Sequence, residues 1–150
     1  MIYLNYYSYD IRWKQRFQNY TRAFNLLNSA LENKEISEFS ELEQSGIIQW
    51  FEMSFELAWQ TLKDYLEYDG VKLKTASPKS VIKECASLNI FENAGIDGQV
   101  YIDMLDSRNS MAHIYDSEKA KEIINQIKEN YLPELRKQYL YLLKESVSEE

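Results

Sequence analysis

The sequence is poor in residues that cross-link or interrupt a chain. Its 150 residues include one cysteine, two prolines, four glycines and one histidine. A single cysteine excludes an internal disulfide and any cysteine-rich zinc site, which fits a reducing cytoplasm. So few glycines and prolines leave few points at which a helix must end, and we expect helices throughout.

Long apolar runs and an excess of positive charge are also lacking. The longest apolar run, residues 139–143, cannot span a bilayer, and the N-terminus has no basic region followed by an apolar core. Lys and Arg number 17 against 24 Asp and Glu, a formal charge of −7, so the average field repels nucleic acid and anionic membrane. We expect a cytoplasmic protein that binds neither DNA nor membrane; contact with RNA must be local.

Two long segments at the start of the chain have helical periodicity. Asp10 is the predicted N-cap of the first, which follows a tyrosine-rich tail of residues 1–9. Ser40 and Glu43 have the spacing of a capping box, and the second helix is predicted to run from there to Gly70. Gly46 inside this helix costs about 1 kcal/mol relative to alanine, which suggests that another backbone lies close to it.

The second half of the chain predicts one short helix and two longer ones. Ser77 and Pro78 are predicted to open the short helix, and residues 93–98 form a turn before a helix that begins near Asp97. The last helix begins near Asp116 and is expected to kink at Pro133, which lacks a backbone donor.

These segments predict an all-α fold. Long helices with short connections, each apolar on one face, pack most simply as an antiparallel up-and-down helical bundle, here with four long helices and a short one. Because no linker or repeat divides the chain, residues 10–145 are predicted to form one domain, between the tail of residues 1–9 and an acidic tail of residues 146–150.

Side chains that can take part in chemistry are concentrated in residues 106–116, with the sequence DSRNSMAHIYD. This stretch contains the only histidine, His113, together with Arg108, Asn109 and Tyr115. Arg can hold a phosphodiester through two hydrogen bonds, and a His with a pKa of about 6.5 can move a proton to or from a ribose hydroxyl. RNA cleavage without a metal ion or cofactor is therefore one possible activity.

The spacing of Arg108 and His113 leaves two arrangements open. Five residues correspond to about 140° around a straight helix, so the two side chains cannot share one face. Either the helix ends near Ala112 and His113 turns back, or a two-fold axis places Arg108 of one subunit beside His113 of another. Simpler roles also remain: His113 capping a helix junction, Arg108 pairing with a nearby aspartate, and Tyr115 packing in the core.

Three separated motifs resemble one known family. They are residues 49–59 (QWFEMSFELAW), residues 77–79 (SPK) and the set Arg108, Asn109 and 113–116 (HIYD). In this order they resemble the nucleotidyltransferase substrate-binding proteins, a family within the HEPN group of helical-bundle proteins. The resemblance covers roughly residues 10–144.

The resemblance implies an HEPN-like bundle, usually a homodimer, encoded beside a minimal nucleotidyltransferase. In the toxin members of the group, an Arg-x4-His-x-Tyr motif is a metal-independent ribonuclease site at the subunit interface, and the partner acts as antitoxin by transferring AMP to the motif tyrosine. Carried over, Arg108 holds phosphate, His113 is the acid and base, Asn109 orients His113, and Tyr115 accepts AMP.

Two functional hypotheses follow. The first is a ribonuclease toxin of a toxin–antitoxin module, controlled by its nucleotidyltransferase. The second is a non-catalytic subunit that binds the same kind of partner and presents or regulates its substrate. Glu52, Glu56 and Trp59 are candidates for a partner or nucleotide groove; the two glutamates could also bind a divalent ion, pair with Lys or Arg, or be solvated, and Trp59 could be a packing residue.

Overall fold

The computed structural model describes the backbone of residues 2–111 and 116–148 and the side chains of residues 8–111 and 116–148. Every regular element in these ranges is helical. The α-helices are α1 (Ile2–Glu32), α2 (Glu41–Tyr68), α3 (Pro78–Ser87), α4 (Ile90–Ala94), α5 (Gly98–Ser110), α6 (Ser117–Gln126) and α7 (Leu132–Val147). A 3₁₀ turn, Ile36–Glu38, precedes α2, and a π-helical turn, Ile127–Tyr131, joins α6 to α7. The all-α bundle is confirmed, with α4 as an additional short helix.

Helices α1 and α2 form an antiparallel hairpin. Near its loop, Lys34 pairs with Glu43 at 2.9 Å, and toward its open end Arg16 donates to Asp64 at 2.9 Å. Residue numbers in these pairs increase along α1 and decrease along α2, so the two helices run in opposite directions. The predicted capping box is present: Ser40 accepts from the Glu43 N–H, and Glu43 accepts from the Ser40 N–H. Hydrogen bonds from Lys34 and from the Ser40 backbone lower the pKa of Glu43 to about 2.

We call α6, the π-helical turn and α7 together the α6–α7 arm. The core lies where the apolar faces of α1, α2, α5 and this arm meet. Its largest fully buried side chains are aromatic, and two of their hydroxyls bond across helices. Tyr20 donates to the carbonyl of Leu135 at 2.6 Å, and Tyr101 donates to Gln138. Gln138 in turn donates to the carbonyl of Ala58 at 2.9 Å. Because buried polar groups are costly unless paired, these bonds hold α7 in register against α1, α2 and α5.

Most predicted helix ends are confirmed. Gly70 follows α2 with φ of +88°, which glycine adopts without steric cost. Ser77 caps α3 with Pro78 in its first turn, and Asp97 and Asp116 cap α5 and α6 through their side chains. These caps satisfy backbone donors that have no partner within the helix.

The predicted start of the first helix is wrong. The backbone is helical from Ile2, so residues 2–9 continue the helix and Asp10 lies inside α1 instead of capping it. No glycine or proline interrupts residues 2–10, and Asp10 pairs with Lys14 one turn later at 3.2 Å. Such an i, i+4 pair supports a helix interior rather than a helix start.

Two further local predictions need correction. The turn predicted at residues 93–98 is shorter, because the buried side chains of Ile90 and Phe91 anchor a single helical turn that continues to Ala94. No backbone of the described chain approaches Gly46: a Cβ atom built there would meet nothing within 4 Å.

A π-helical turn precedes Pro133, where the sequence predicts a kink. Proline cannot donate the hydrogen bond that would reach back four residues. In the preceding turn the N–H of Leu132 donates to the carbonyl of Ile127, five residues back. This wider turn directs the side chain of Tyr131 inward toward α5, where it is 2% exposed.

None of the helices in the described ranges combines the length and apolar character needed to cross a membrane. Cys85 is buried on α3, and burial raises the pKa of its thiol to about 12. It is a core residue, as its position on an apolar stripe predicts.

Candidate functional site

Arg108 lies in the last turn of α5 and reaches across to α2. Its Nη1 donates to Glu56 Oε2 at 2.8 Å, and its guanidinium carbon lies 5.8 Å from the centre of the Phe55 ring. The last turn of a helix favours a cation, because the carbonyl ends of the peptide dipoles point there. Sequence analysis left Glu56 as a groove residue, an ion ligand or a partner for a cation; the structure pairs it with Arg108, 52 residues away.

A second carboxylate lies one turn from Glu56 on the same face of α2. Burial raises the pKa of Glu52 above its ordinary value, and the positive charge of Arg108 opposes that shift. Glu52 is partly buried, so its charge is only partly solvated. Arg108 therefore interacts with two carboxyl groups, and the local balance of charge is negative when both are ionised.

Arg108 still has unused hydrogen-bonding capacity. Its Nε atom is buried and has no hydrogen-bond partner within the described part of the chain. The guanidinium also has terminal N–H groups besides the one that bonds Glu56, and its side chain is partly exposed.

The residue before Arg108 ties α5 to the π-helical turn. Ser107 Oγ and Tyr131 Oη share a hydrogen bond of 2.5 Å, and Tyr131 also donates to the carbonyl of Asp103 at 3.3 Å. The Tyr131 ring stacks on Phe51 of α2, with ring centres 5.4 Å apart. Tyr131 thus contacts both helices that carry the Arg108–Glu56 pair and fixes their spacing.

The other residues of the predicted motif are placed only in part. Asn109 is exposed on the last turn of α5, which ends at Ser110; the cap residue Met111 donates its N–H to the carbonyl of Arg108. His113 and Tyr115 lie outside the described residues. The helix therefore ends before His113, as the first of the two arrangements requires, and both arrangements stay predictions.

Trp59 lies one turn beyond Glu56, and its side chain is 8% exposed. Its indole Nε1 is buried without a partner in the described ranges. The ring therefore packs into the bundle and does not offer a face to solvent, which agrees with the packing role considered for it. Within residues 8–111 and 116–148, no three potential metal-ligating side chains come together.

Phe55, Ser107 and Tyr131 are not among the site residues predicted from the sequence. The apolar spacing around Phe55 and Tyr131 is typical of core positions, which is correct for their rings but says nothing of Arg108 or of the Tyr131 hydroxyl. The one available signal was Pro133, because a proline inside a helical pattern indicates an irregular turn nearby.

The described residues define a helical bundle with an arginine–glutamate site between two of its helices. The chain belongs to the family of nucleotidyltransferase substrate binding protein like proteins, whose model matches residues 15–144. A protein of Thermus thermophilus with a known crystal structure is 25% identical and superposes with a TM-score of 0.63, over 85% of this chain and 98% of its own. No curated protein sequence matches the chain.

Proposed function

We propose that the chain is the non-catalytic binding subunit of a minimal nucleotidyltransferase and presents or regulates that enzyme's substrate. Membership of a family described as nucleotidyltransferase substrate binding protein like supports a partner of this kind. The structural observation that carries the proposal is the Arg108–Glu56 pair. It favours a binding role over RNA cleavage.

A phosphodiester that approached Arg108 would have to displace Glu56, which already takes one guanidinium N–H at 2.8 Å. It would also approach Glu52, whose negative charge repels phosphate. By contrast, a protein surface or a neutral part of a nucleotide can accept from the terminal N–H groups of the partly exposed guanidinium without breaking the pair.

The test is complex formation with the nucleotidyltransferase encoded next to this chain. We expect the purified proteins to co-elute as a stable complex in size-exclusion chromatography with light scattering. Arg108→Ala should weaken the complex at least about tenfold, about 1.4 kcal/mol, because it removes the donors and leaves Glu56 unpaired. Arg22→Ala, at an exposed position of α1, is the matched control and should leave affinity unchanged. Absence of a complex with the wild-type chain would overturn the proposal.

A second candidate is a metal-independent ribonuclease toxin of the HEPN type. The unpaired Nε of Arg108 supports it, as does the spacing of Arg108 and His113 in the sequence. In this candidate, Arg108 holds phosphate, His113 transfers the proton, Asn109 orients His113, and a homodimer completes the site. AMP transfer to Tyr115 by the nucleotidyltransferase would then inactivate it.

Cleavage of a labelled RNA in excess EDTA separates the two candidates. The binding-subunit proposal predicts intact RNA with the wild-type chain and with Arg108→Ala and His113→Ala, and mass spectrometry should find Tyr115 unmodified. Cleavage by wild type that is lost in both variants would establish the ribonuclease instead.

A further inference from the structure

An apolar groove lies between α1 and α2, beside the loop of their hairpin. Its volume is about 490 Å³, within the range of pockets that bind small molecules or partner side chains. We call it the hairpin groove. The side chains of Leu27 and Ile47 are buried beneath it, and Leu26, Ala30 and Trp50 are exposed along it.

Large apolar side chains are exposed around this groove. Leu26 is 46% exposed, Leu42 84%, Trp50 36% and Met53 42%. Leu42 and Met53 are 11 residues apart, a distance of about 16 Å or three turns along α2. Leu26 and Trp50 line the groove, and Leu42 and Met53 extend the exposed apolar face of α2 on either side of it. Scattered apolar residues on a surface need no explanation, but a set gathered on one helix face indicates an interaction site.

Gly46 lies in the middle of this set, and no contact with the described residues requires a glycine there. It is inside α2, its φ is not positive, and an added Cβ would meet nothing within 4 Å. A glycine there costs about 1 kcal/mol of helix stability relative to alanine. What its missing side chain provides is an open notch between Leu42 and Trp50. The sequence suggested that a backbone comes close to Gly46, and the space around it suits a backbone from another molecule.

The groove lining includes Glu38, Glu43 and Lys34, and the chain segment around it, which we call the rim, is acidic. Between residues 32 and 43 the chain has five glutamates and a single lysine, and all five glutamates are exposed. Lys34 pairs with Glu43 and lies 5.9 Å from the centre of the Phe39 ring, so the one cation of the rim is already engaged. An occupant with basic residues beside its apolar ones would complement this rim.

We propose that the hairpin groove binds a basic amphipathic helix of a protein partner. The apolar face extends for about three turns, which matches the length of such a helix. The notch at Gly46 leaves room for its backbone to come close. Basic residues on the helix would complement the acidic rim. A second copy of this chain fits less well, since a two-fold axis at the groove would bring the same acidic rims together.

The hairpin groove and the Arg108 site lie on different faces of α2. Trp50 and Glu56 are six residues apart, which is about 120° around the helix and about 9 Å along it. A helix in the hairpin groove therefore approaches the Arg108 site only at its Met53 end, three residues before Glu56, and the inference, which concerns the groove around Gly46, goes beyond the proposed function.

Trp50 is a natural reporter for the test. Of the three tryptophans, Trp13 and Trp59 are buried, whereas Trp50 is exposed at the groove. The probe is a synthetic helical peptide of about five turns, made of leucine and lysine with apolar residues at i, i+3, i+4 and i+7. We expect its binding to shift the emission of Trp50 to the blue and to saturate, and Trp50→Phe to abolish the shift. The same peptide with glutamate in place of lysine should not bind.

A matched pair of variants tests where the peptide binds. Gly46→Lys fills the notch with a long charged side chain and should weaken binding at least about tenfold, whereas Gly46→Ala adds only a Cβ atom and should weaken it less. Asn125→Lys adds the same charge as Gly46→Lys at an exposed position of α6 and should retain binding. Equal affinities for Gly46→Lys and Asn125→Lys would overturn the inference, because attraction by net charge alone would then explain binding.

Two other outcomes would also overturn it. One is no saturable shift with the lysine peptide. The other is a wild-type dimer that Gly46→Lys converts to a monomer in light scattering, which would make a second copy the occupant. Neither outcome bears on the complex with the nucleotidyltransferase, which is tested at Arg108.

Discussion

At the scale of single residues, the environment of Arg108 determines how its site responds to pH. Glu56 is its direct partner and Glu52 is the partly buried neighbour. Burial raises the pKa of Glu52, so ionising it in the folded protein is less favourable than in the unfolded chain. The contribution of Glu52 to stability is therefore most favourable at pH below the unfolded value of 4.5 and decreases as pH rises through the folded pKa.

Removing Arg108 should raise the pKa of Glu52 further, because the positive charge that opposes the shift is lost. We expect carboxyl NMR titration of Arg108→Ala to show this rise, and Arg108→Lys to keep a value near wild type. The Glu52→Gln substitution should remove the corresponding decrease in unfolding free energy above pH 4.5. An unchanged Glu52 titration in Arg108→Ala would show that the two groups do not interact.

At the scale of elements, the π-helical turn links the α6–α7 arm to the Arg108 site. Tyr131 of this turn bonds Ser107 at the end of α5 and stacks on Phe51 of α2. A regular α-helix through Pro133 would lack one backbone hydrogen bond, because proline has no N–H to donate. The wider π-helical turn before Pro133 fits around this missing bond and directs Tyr131 inward.

A double-mutant cycle tests this link. Tyr131→Phe keeps the ring but removes the hydroxyl, and should lower the unfolding free energy by about 1–2 kcal/mol. Combined with Ser107→Ala, it should show a coupling of at least about 0.5 kcal/mol in chemical denaturation. Tyr139→Phe is the control, since Tyr139 stacks on Phe24 far from Ser107, and should be additive with Ser107→Ala. Additivity of both pairs would show that Tyr131 does not hold α5 through Ser107.

At the scale of the whole molecule, one apolar core joins all seven α-helices of the described ranges. Each of them contributes at least one side chain to it. Gln138 bonds both α5 and α2 from α7, so α7 cannot separate from either helix without exposing buried polar groups. We propose on this basis that residues 10–145 form one domain.

A single domain of this size should unfold in one cooperative transition. We expect far-UV circular dichroism, which follows the helices, and tryptophan emission, which follows Trp13 on α1 and Trp59 on α2, to give the same midpoint in urea. Separated midpoints would show that part of the bundle unfolds independently and would contradict the single domain.

Local patterns in the sequence were sufficient to predict most of the helices and their ends. The apolar stripe from Trp13, the capping box of Ser40 and Glu43, and the caps at Ser77 and Asp97 all involve residues within a few positions of one another. Such interactions depend on backbone geometry that repeats every turn, so they can be predicted without knowing the tertiary structure. The start of α1 at Ile2 was missed because a cap-like aspartate can equally form an i, i+4 pair inside a helix.

By itself, the sequence determined the helical class, most helix ends, the family resemblance and the identity of Arg108 as a candidate. Only the tertiary structure decided that Arg108 pairs with Glu56, that Tyr131 bonds Ser107, and that the space beside Gly46 is an open groove. These contacts join residues that are 52 and 24 positions apart in the chain, or depend on an empty space between two helices. They follow from how the helices pack against one another, which no local spacing in the sequence specifies.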